Sequence, residues 1–507
     1  MKISIHNYIY LSLLPILILK FNIANCQILT SSNLPIVIIN TGGITIPDEP
    51  KIPAGFKIIN NGPGLINHIN DFPNHYDGFC GIETRGNSTQ GFQKKTYSIE
   101  LWNSDDEDTS SSLLGMGKEE DWILHAMVID KSQVRIPFSF YVFQRMGHYA
   151  SNWRYVELII DNDYRGLYIL CEKIKRDDDR VDIAKLDEDD IYGDSLTGGY
   201  ILRLDWLGYY SQGFSSNYNS QSGYYPLFYQ WYYPKAEKIQ QEQEDYIADW
   251  FSYFESAVFS NDYHNNLGIR YTDYINLNSF VDFLIINEIS KNSDGYKLSS
   301  YLHKNRDKNG GKLNMGPIWD FDQTYGVSEV CSNYDPTGWT YLQNQSDCED
   351  LMSMPMWWQS MMQDTIFQNR LKCRWQNFRT TFLHEDSIFN WINSDTALIS
   401  DAKNRNFTRW PHIGQQIWIE PSPIPQSYSE EIIVLKQWIS NRLDWLDLNF
   451  PGNCDNDITI IKEQVVKKEL SKVTDLLGRE TNQTNQTNQP LFYIYDDGSV
   501  EKRILIE

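Results

Sequence analysis

The segment Gly311 to Thr324 reads GKLNMGPIWDFDQT, and its two carboxylates, Asp320 and Asp322, stand two residues apart in an otherwise apolar run. In an extended strand, residues two apart project to the same side, so both aspartates could face one cavity while Ile318 and Phe321 anchor the segment. Two hard oxygen donors so placed suit one or two Mg²⁺ ions and the phosphates they carry. The alternative is an acidic strand end with solvated carboxylates. Three further groups bear on the choice. Asp294, in Asn292-Ser-Asp-Gly just past a strongly apolar helix, is a loop side chain placed to act as a base. Arg85 and the pair Lys94-Lys95 flank a Gly- and Ser-rich turn that could bring cations and backbone N–H groups to an anion. Glu172 ends the apolar strand Leu167 to Cys171, where an unpaired buried carboxylate is costly. Lys95, which opens an alternating strand, is its natural partner, and a Lys–Glu pair that sets the lysine on phosphates is a known device of phosphoryl transfer. Metal-binding carboxylates, a phosphate-binding cation and a base for the attacking hydroxyl are the parts this chemistry needs.

Competing chemistries lack their parts. His384-Glu385 is followed at position 388 by isoleucine, so no zincin helix exists. Ser88 in Gly86-Asn-Ser-Thr-Gln lacks the second glycine of a nucleophile elbow. Walker A, GxGxxG and HRD patterns are absent. Seven cysteines include no CxxC and no zinc-type spacing, which points to cross-links or buried thiols, with Cys331 and Cys348 the expected pair around a polar loop. A formal charge of -23 argues against a nucleic-acid partner. Sequons begin at Asn87, Asn344, Asn406, Asn482 and Asn485 and would accept glycans on a eukaryotic secretory route.

The elements that must position these residues follow from pattern. Met1 to Cys26 reads as a signal peptide; its loss removes Lys2 and Lys20, giving -23 - 2 = -25. No later stretch offers about 18 consecutive apolar residues, so no transmembrane helix is expected. Residues 27–79 form a leader, Pro-, Gly- and Asn-rich from Leu34 to Asn74. Gly81 to Leu101 reads as a hairpin, as does Tyr155 to Glu172 turned at Asp161-Asn-Asp, with Val156, Leu158 and Ile160 on one face. Between them a helix is expected over Ser132 to Met146, and a further strand follows from Gly198. The Tyr-rich stretch Tyr209 to Tyr233 reads as a surface insertion with locally packed aromatics, stacking on sugars being the alternative. Helices with apolar faces follow at Ile239 to Val258 and around Phe280 to Ile286, and the chain past Asn369 is mainly helical, with a Trp- and Pro-rich loop over Trp410 to Pro425. Residues 451–507 form a tail with an Asn/Gln/Thr linker at 481–489 and a hairpin from Phe492 to Ile506. The expected class is α+β with two lobes, a β-rich one over 80–205 and a mainly helical one over 206–450.

Several quoted pieces resemble one family. They are Arg85-Gly-Asn-Ser-Thr with Lys95-Thr-Tyr-Ser-Ile, Trp122-Ile-Leu-His-Ala with Asp130-Lys-Ser and Arg135, Tyr164-Arg-Gly-Leu-Tyr with Glu172-Lys-Ile-Lys and Arg180-Val-Asp-Ile, Thr197-Gly-Gly-Tyr-Ile, Asn292-Ser-Asp-Gly, and Gly316-Pro-Ile-Trp-Asp-Phe-Asp-Gln-Thr-Tyr-Gly. In that order, over residues 80 to 330, they resemble the CotH (spore coat protein H) family of secreted or coat-associated atypical kinases. The resemblance implies a divergent two-lobed protein-kinase-like fold that binds ATP with Mg²⁺ or Mn²⁺ and phosphorylates Ser or Thr of extracellular or coat proteins. It casts Asp294 as the catalytic aspartate, Asp320 and Asp322 as metal ligands, Lys95 with Glu172 as the nucleotide-positioning pair, and Arg85 and Arg203 as phosphate or site support. A non-catalytic surface adhesin or scaffold on the same fold is the alternative.

Overall fold

The computed structural model describes residues 29–507 apart from 87, 209–210, 219–226, 346–353, 455–469, 475–480, 482–489, 496–499 and 505–507. The signal segment, Asn87, Cys348, Asn482 and Asn485 lie outside the described residues.

Seven strands close into a barrel: β1 (Ile36–Asn40), β2 (Ile52–Ile59), β3 (Tyr76–Arg85), β4 (Thr96–Trp102), β5 (Asp121–His125), β6 (Trp153–Ile160) and β7 (Asp163–Glu172). The order is β6-β7-β5-β4-β3-β2-β1, with β1 returning to β6 in parallel and the other neighbours antiparallel. Alternation is visible in the packing. Tyr97, Ile99 and Leu101 of β4 and Val156, Leu158 and Ile160 of β6 share one buried cluster, while Thr96 and Ser98 face a cleft outside it. The segment read as a leader supplies β1 and β2. Its run Ile36-Val-Ile-Ile is buried on both faces, so it shows no alternation, and the prolines and glycines around it hid a strand.

A five-stranded antiparallel sheet follows, β8 (Tyr200–Leu204), β9 (Gly213–Ser215), β10 (Phe228–Tyr233), β11 (Ser300–Lys304) and β12 (Leu313–Met315), in the order β9-β10-β8-β11-β12. In the described part of the Tyr-rich stretch, Phe214 packs against Tyr229 at 5.1 Å and Trp231 at 5.2 Å, so these aromatics serve the core. The longer helices are α1 (Arg135–Arg145), α2 (Gln241–Val258), α3 (Leu277–Ser290), α4 (Thr365–Arg379), α5 (Glu385–Leu398), α6 (Ser400–Arg409) and α7 (Tyr428–Asn449). α3 was expected to show one apolar face. It is buried all round, from Ser279 to Ser290, and its few polar groups are paired internally: Asp282 with Arg374 and with His148 at 2.6 Å, Glu288 with Arg442 at 3.0 Å. A small antiparallel sheet, β13 (Leu470–Thr474), β14 (Pro490–Tyr495) and β15 (Val500–Ile504), contains the expected C-terminal hairpin and one strand more.

α6 reaches back and seals the barrel. Arg405 Nε donates to Glu157 Oε1 at 2.9 Å, and Trp410 Nε1 donates to the Arg165 carbonyl at 2.8 Å. Asn406 is only 2% exposed and accepts the Leu167 N–H, so the sequon there cannot carry a glycan in the folded protein. Cys373 and Cys454 form a disulfide and Cys331 is disulfide-bonded; Cys80 and Cys171 are buried thiols, pushed up to about 12 by burial. Among the described residues no helix is long and apolar enough to cross a membrane.

Candidate active site

A cleft of about 480 Å³ opens between the barrel and the five-stranded sheet, and Arg85, Arg203, Asp294, Asp320 and Asp322 all line it. Asp294 lies in the turn just past α3. That helix ends on Lys291 in the left-handed region, and the lysine Nζ donates to the carbonyls of Ser332, Asp335 and Thr337 at 3.0, 2.6 and 2.6 Å. The turn beyond it is tightly braced. Asp294 N–H donates to Asn292 Oδ1, Asn292 Nδ2 donates to Asn287 Oδ1, and a Cβ on Gly295 would stand 2.3 Å from Asn287 Oδ1, so only glycine fits.

Asp320 and Asp322 do not sit on a strand. β12 ends at Met315, a cis Gly316–Pro317 bond follows, and Asp320 has φ +57°, so a loop rather than strand alternation turns both carboxylates into the cleft. Asp320 accepts Ser299 Oγ at 2.6 Å; burial raises its pKa, against the pull of that hydrogen bond and of the Arg85 charge. Arg85 lies over the Trp319 ring at 5.5 Å. Asp322 is pushed up to about 8, first by burial and then by Asp320 and Asp294. Its segment is tied down just beyond: Arg135 Nε donates to the Thr324 carbonyl while its Nη1 bonds Asp130 at 2.6 Å and Glu431 at 3.0 Å.

The expected Lys95–Glu172 pair is not formed. Lys95 Nζ donates to the Gln90 carbonyl, and Glu172, fully buried, takes neutral donors instead: Tyr149 OH at 3.0 Å, Asn152 N–H at 3.0 Å and Asn152 Nδ2. The two miss the cleft for different reasons. Lys95 stands just before β4, outside its ladder, and turns back to the Gln90 carbonyl, while Glu172 pairs with Trp122 across β7 and β5 and follows Tyr168 and Leu170 on the barrel-interior side, one residue out of phase with the cleft-lining Lys173. Lys94 is no substitute. Its Nζ donates to the carbonyls of Ala126 and Leu167 at 2.6 and 2.7 Å, and burial draws its pKa down to about 7, where a neutral amine has two N–H groups for two acceptors.

Three lining residues with basic side chains were not singled out from sequence. Lys173 reaches Asp121 at 2.8 Å, and its position beside Glu172 was the available signal. Lys235 stands 5.2 Å from the Tyr232 ring, with its pKa lowered by burial and then by Lys173 and Arg203; nothing in its local sequence marks it. His125 accepts the Met127 N–H on Nδ1 and is kept neutral, at about 3, by burial and by Arg85 and Lys94. The cleft thus sets four cations, Arg85, Lys173, Arg203 and Lys235, beside five aspartates, Asp48, Asp205, Asp294, Asp320 and Asp322, and two glutamates, Glu49 and Glu83, with Arg203 reaching Asp205 at 3.5 Å. Cations suit phosphate oxygens, and mutually repelling carboxylates suit a hard divalent ion held by Asp320 and Asp322.

The model of one family, described as CotH kinase protein, matches residues 82–446, most of the chain. The chain belongs to that family. A search of curated proteins finds no match. The CotH kinase match starts inside β3 and stops inside α7, so it takes in every cleft residue named above, while β1 and β2 complete the barrel from outside it.

Proposed function

We propose that this CotH kinase family member transfers the γ-phosphoryl group of ATP to a Ser or Thr hydroxyl of an extracellular or coat protein. The observation that carries the reading is the convergence of Asp294, Asp320 and Asp322 with four cations on one cleft. In the proposed assignment Asp320 and Asp322 hold Mg²⁺ or Mn²⁺, which would neutralise charge on the phosphates. Arg85, Arg203, Lys173 and Lys235 bind phosphate oxygens. Asp294 orients the acceptor hydroxyl and takes its proton as the O–P bond forms and ADP leaves. Lys95 and Glu172 are left out of the nucleotide set in this assignment. Export by the Met1 to Cys26 segment belongs to the same proposal.

Incubation of the purified protein with labelled ATP and Mg²⁺ or Mn²⁺ tests it. Transfer to itself or to an acidic model protein, lost in Asp322→Ala and Asp294→Ala, is the expected result. Nucleotide binding without transfer leaves a pseudoenzyme, and neither binding nor transfer leaves the adhesin or scaffold reading.

A further inference from the structure

The loop between α6 and α7 touches both walls of the cleft from behind. Trp418, near its middle, donates from Nε1 to Gln323 Oε1 at 2.9 Å, and Gln323 lines the cleft next to Asp322. The same indole packs against Phe92 at 5.8 Å, and Phe92 N–H donates to the carbonyl of Thr89, another lining residue, in the turn that follows Arg85. One residue on, the Ile419 carbonyl accepts the Glu329 N–H at 2.8 Å. The loop is itself anchored. Glu420 Oε2 takes Lys131 Nζ at 2.7 Å and the Ile417 N–H at 3.0 Å, Lys131 also donates to the Gln415 carbonyl, and both side chains of the ion pair are buried.

Resting on the kinase reading above, we infer that this loop is a strap and Trp418 a positioning residue: it couples the turn that carries Arg85 and Thr89 to the segment that carries Asp320 and Asp322. The physical case is one of leverage. Asp320 sits at φ +57° in a stretch without strand or helix hydrogen bonds, so the carboxylates depend on tertiary ties for their aim. Ser299 supplies a tie at Asp320, Arg135 one at the Thr324 carbonyl and Trp418 one at Gln323. Trp418 also contacts the turn that follows Arg85, through Phe92. Displacing reacting groups by about an ångström costs on the order of a hundredfold in rate, so a tie of this kind acts on turnover more than on folding.

Two substitutions separate the contacts. Trp418→Phe keeps a ring against Phe92 and removes the N–H given to Gln323; Trp418→Leu removes both. The expected result is a kcat about tenfold lower for Trp418→Phe with little change in the KM for ATP, and for Trp418→Leu an added rise in that KM as the Arg85 turn loosens. Combining Trp418→Phe with Gln323→Ala should lower kcat no further than Gln323→Ala alone, since the indole acts through that amide. Additive losses, or a kcat for Trp418→Phe equal to wild type, would overturn the inference. Should the wild-type protein transfer no phosphate, hydrogen exchange on the intact chain decides instead. Faster exchange in Trp418→Leu at both 89–95 and 320–329 sustains the coupling, and faster exchange confined to 410–425 sinks it.

Discussion

Two trios of carboxylates, one touched by Lys173 at Asp121 and one lining the same cleft as Lys173, have opposite fates. Glu119, Glu120 and Asp121 are the only such group among the described residues gathered within 4.8 Å, and the chain fills it with its own cation: Lys175 Nζ bonds Glu119 at 2.9 Å, Asp121 at 3.0 Å and Glu120. Burial works against the Lys175 ammonium, yet the three acids hold its pKa above the ordinary value, and Arg180 adds a contact to Glu119 at 3.3 Å. Asp294, Asp320 and Asp322 line one cleft, and neither Asp320 nor Asp322 has an ion-pair partner among the described residues; burial, and then the charges of Asp320 and Asp294, push the Asp322 carboxyl up to about 8. A trio that closes on a lysine is a strut. Two buried carboxylates without an ion-pair partner, Asp320 and Asp322, are suited to a cation from solution.

The largest expected difference between the two is catalytic. Asp322→Ala should lower phosphoryl transfer by about 10²–10³-fold, the scale for losing a preorganised charge-stabilising group, without lowering the melting temperature. Glu120→Ala in the strut should leave kcat within about twofold while lowering the melting temperature, because it strips charge from a fold contact and not from the reaction. Side-by-side kinetics and calorimetry check both, and equal catalytic losses would erase the distinction.

Next comes stability. Lys175→Met leaves three crowded carboxylates without their ammonium, and denaturant unfolding should show a loss of about 2 kcal/mol, below the 3–5 kcal/mol of fully buried pairs because 33% of the Lys175 side chain is exposed. The same variant sharpens the comparison. With the ammonium gone, millimolar Mg²⁺ or Ca²⁺ should restore part of that loss by binding the vacated trio. A melting temperature that stays put when Lys175 is removed would show that the acids, and not the lysine, hold the strut.

How far this contrast could be read from sequence depends on the residue. Hairpins β3–β4 and β6–β7 and helix α2 were legible because one face is buried and the other is not, so apolar spacing carries the element. β1 was illegible for the opposite reason, being buried on both faces, and α3 was legible as a helix but not as one buried all round. At the site, Asp294, Asp320 and Asp322 were found by type, yet the strand geometry assigned to the last two was wrong, since an aspartate at φ +57° gives no signal in the pattern. Glu172 failed on a one-residue phase, since parity decides which cavity it faces, and Lys95 failed because it lies just outside β4 and turns back to the Gln90 carbonyl. Lys175 stands only three residues past Glu172, and its role as an internal counter-ion depends on β7 crossing beside β5, a tertiary fact that pattern alone does not contain.

Lys173 tests the boundary between the two regions. Its ammonium bonds Asp121 of the strut at 2.8 Å and also lines the cleft, so it belongs to both. If the cleft face matters for nucleotide phosphates, Lys173→Met should raise the KM for ATP about tenfold. Lys175 remains to neutralise the strut, so the melting temperature should fall by no more than about 2 °C, the range of an exposed pair. The reverse pattern, a large stability loss with an unchanged KM, would assign Lys173 wholly to the strut.

The smallest effect is the most diagnostic of sign. In chelator, with no divalent ion, Asp322 binds a proton in the folded protein up to about pH 8, whereas unfolded it lets go near the ordinary carboxylate value. Between about pH 4 and 8 the native state therefore holds the extra proton, so this group's stabilisation falls as pH rises. Asp121 in the strut runs the other way. Against burial, Lys173 and Lys175 hold its carboxyl below the ordinary value, so its contribution is intact across that window and is lost only as pH drops below it. In chelator, the melting temperature of wild type relative to that of Asp322→Asn should thus decline from pH 5 to 8. Glu255, raised to about 7 by burial, contributes a similar slope in both proteins and cancels from the difference. Mg²⁺ should then stabilise wild type more at pH 8 than at pH 5, because the ion takes the place of the proton on Asp322. An Asp322→Asn protein with the wild-type slope and the wild-type response to Mg²⁺ would move the cation site away from this wall of the cleft.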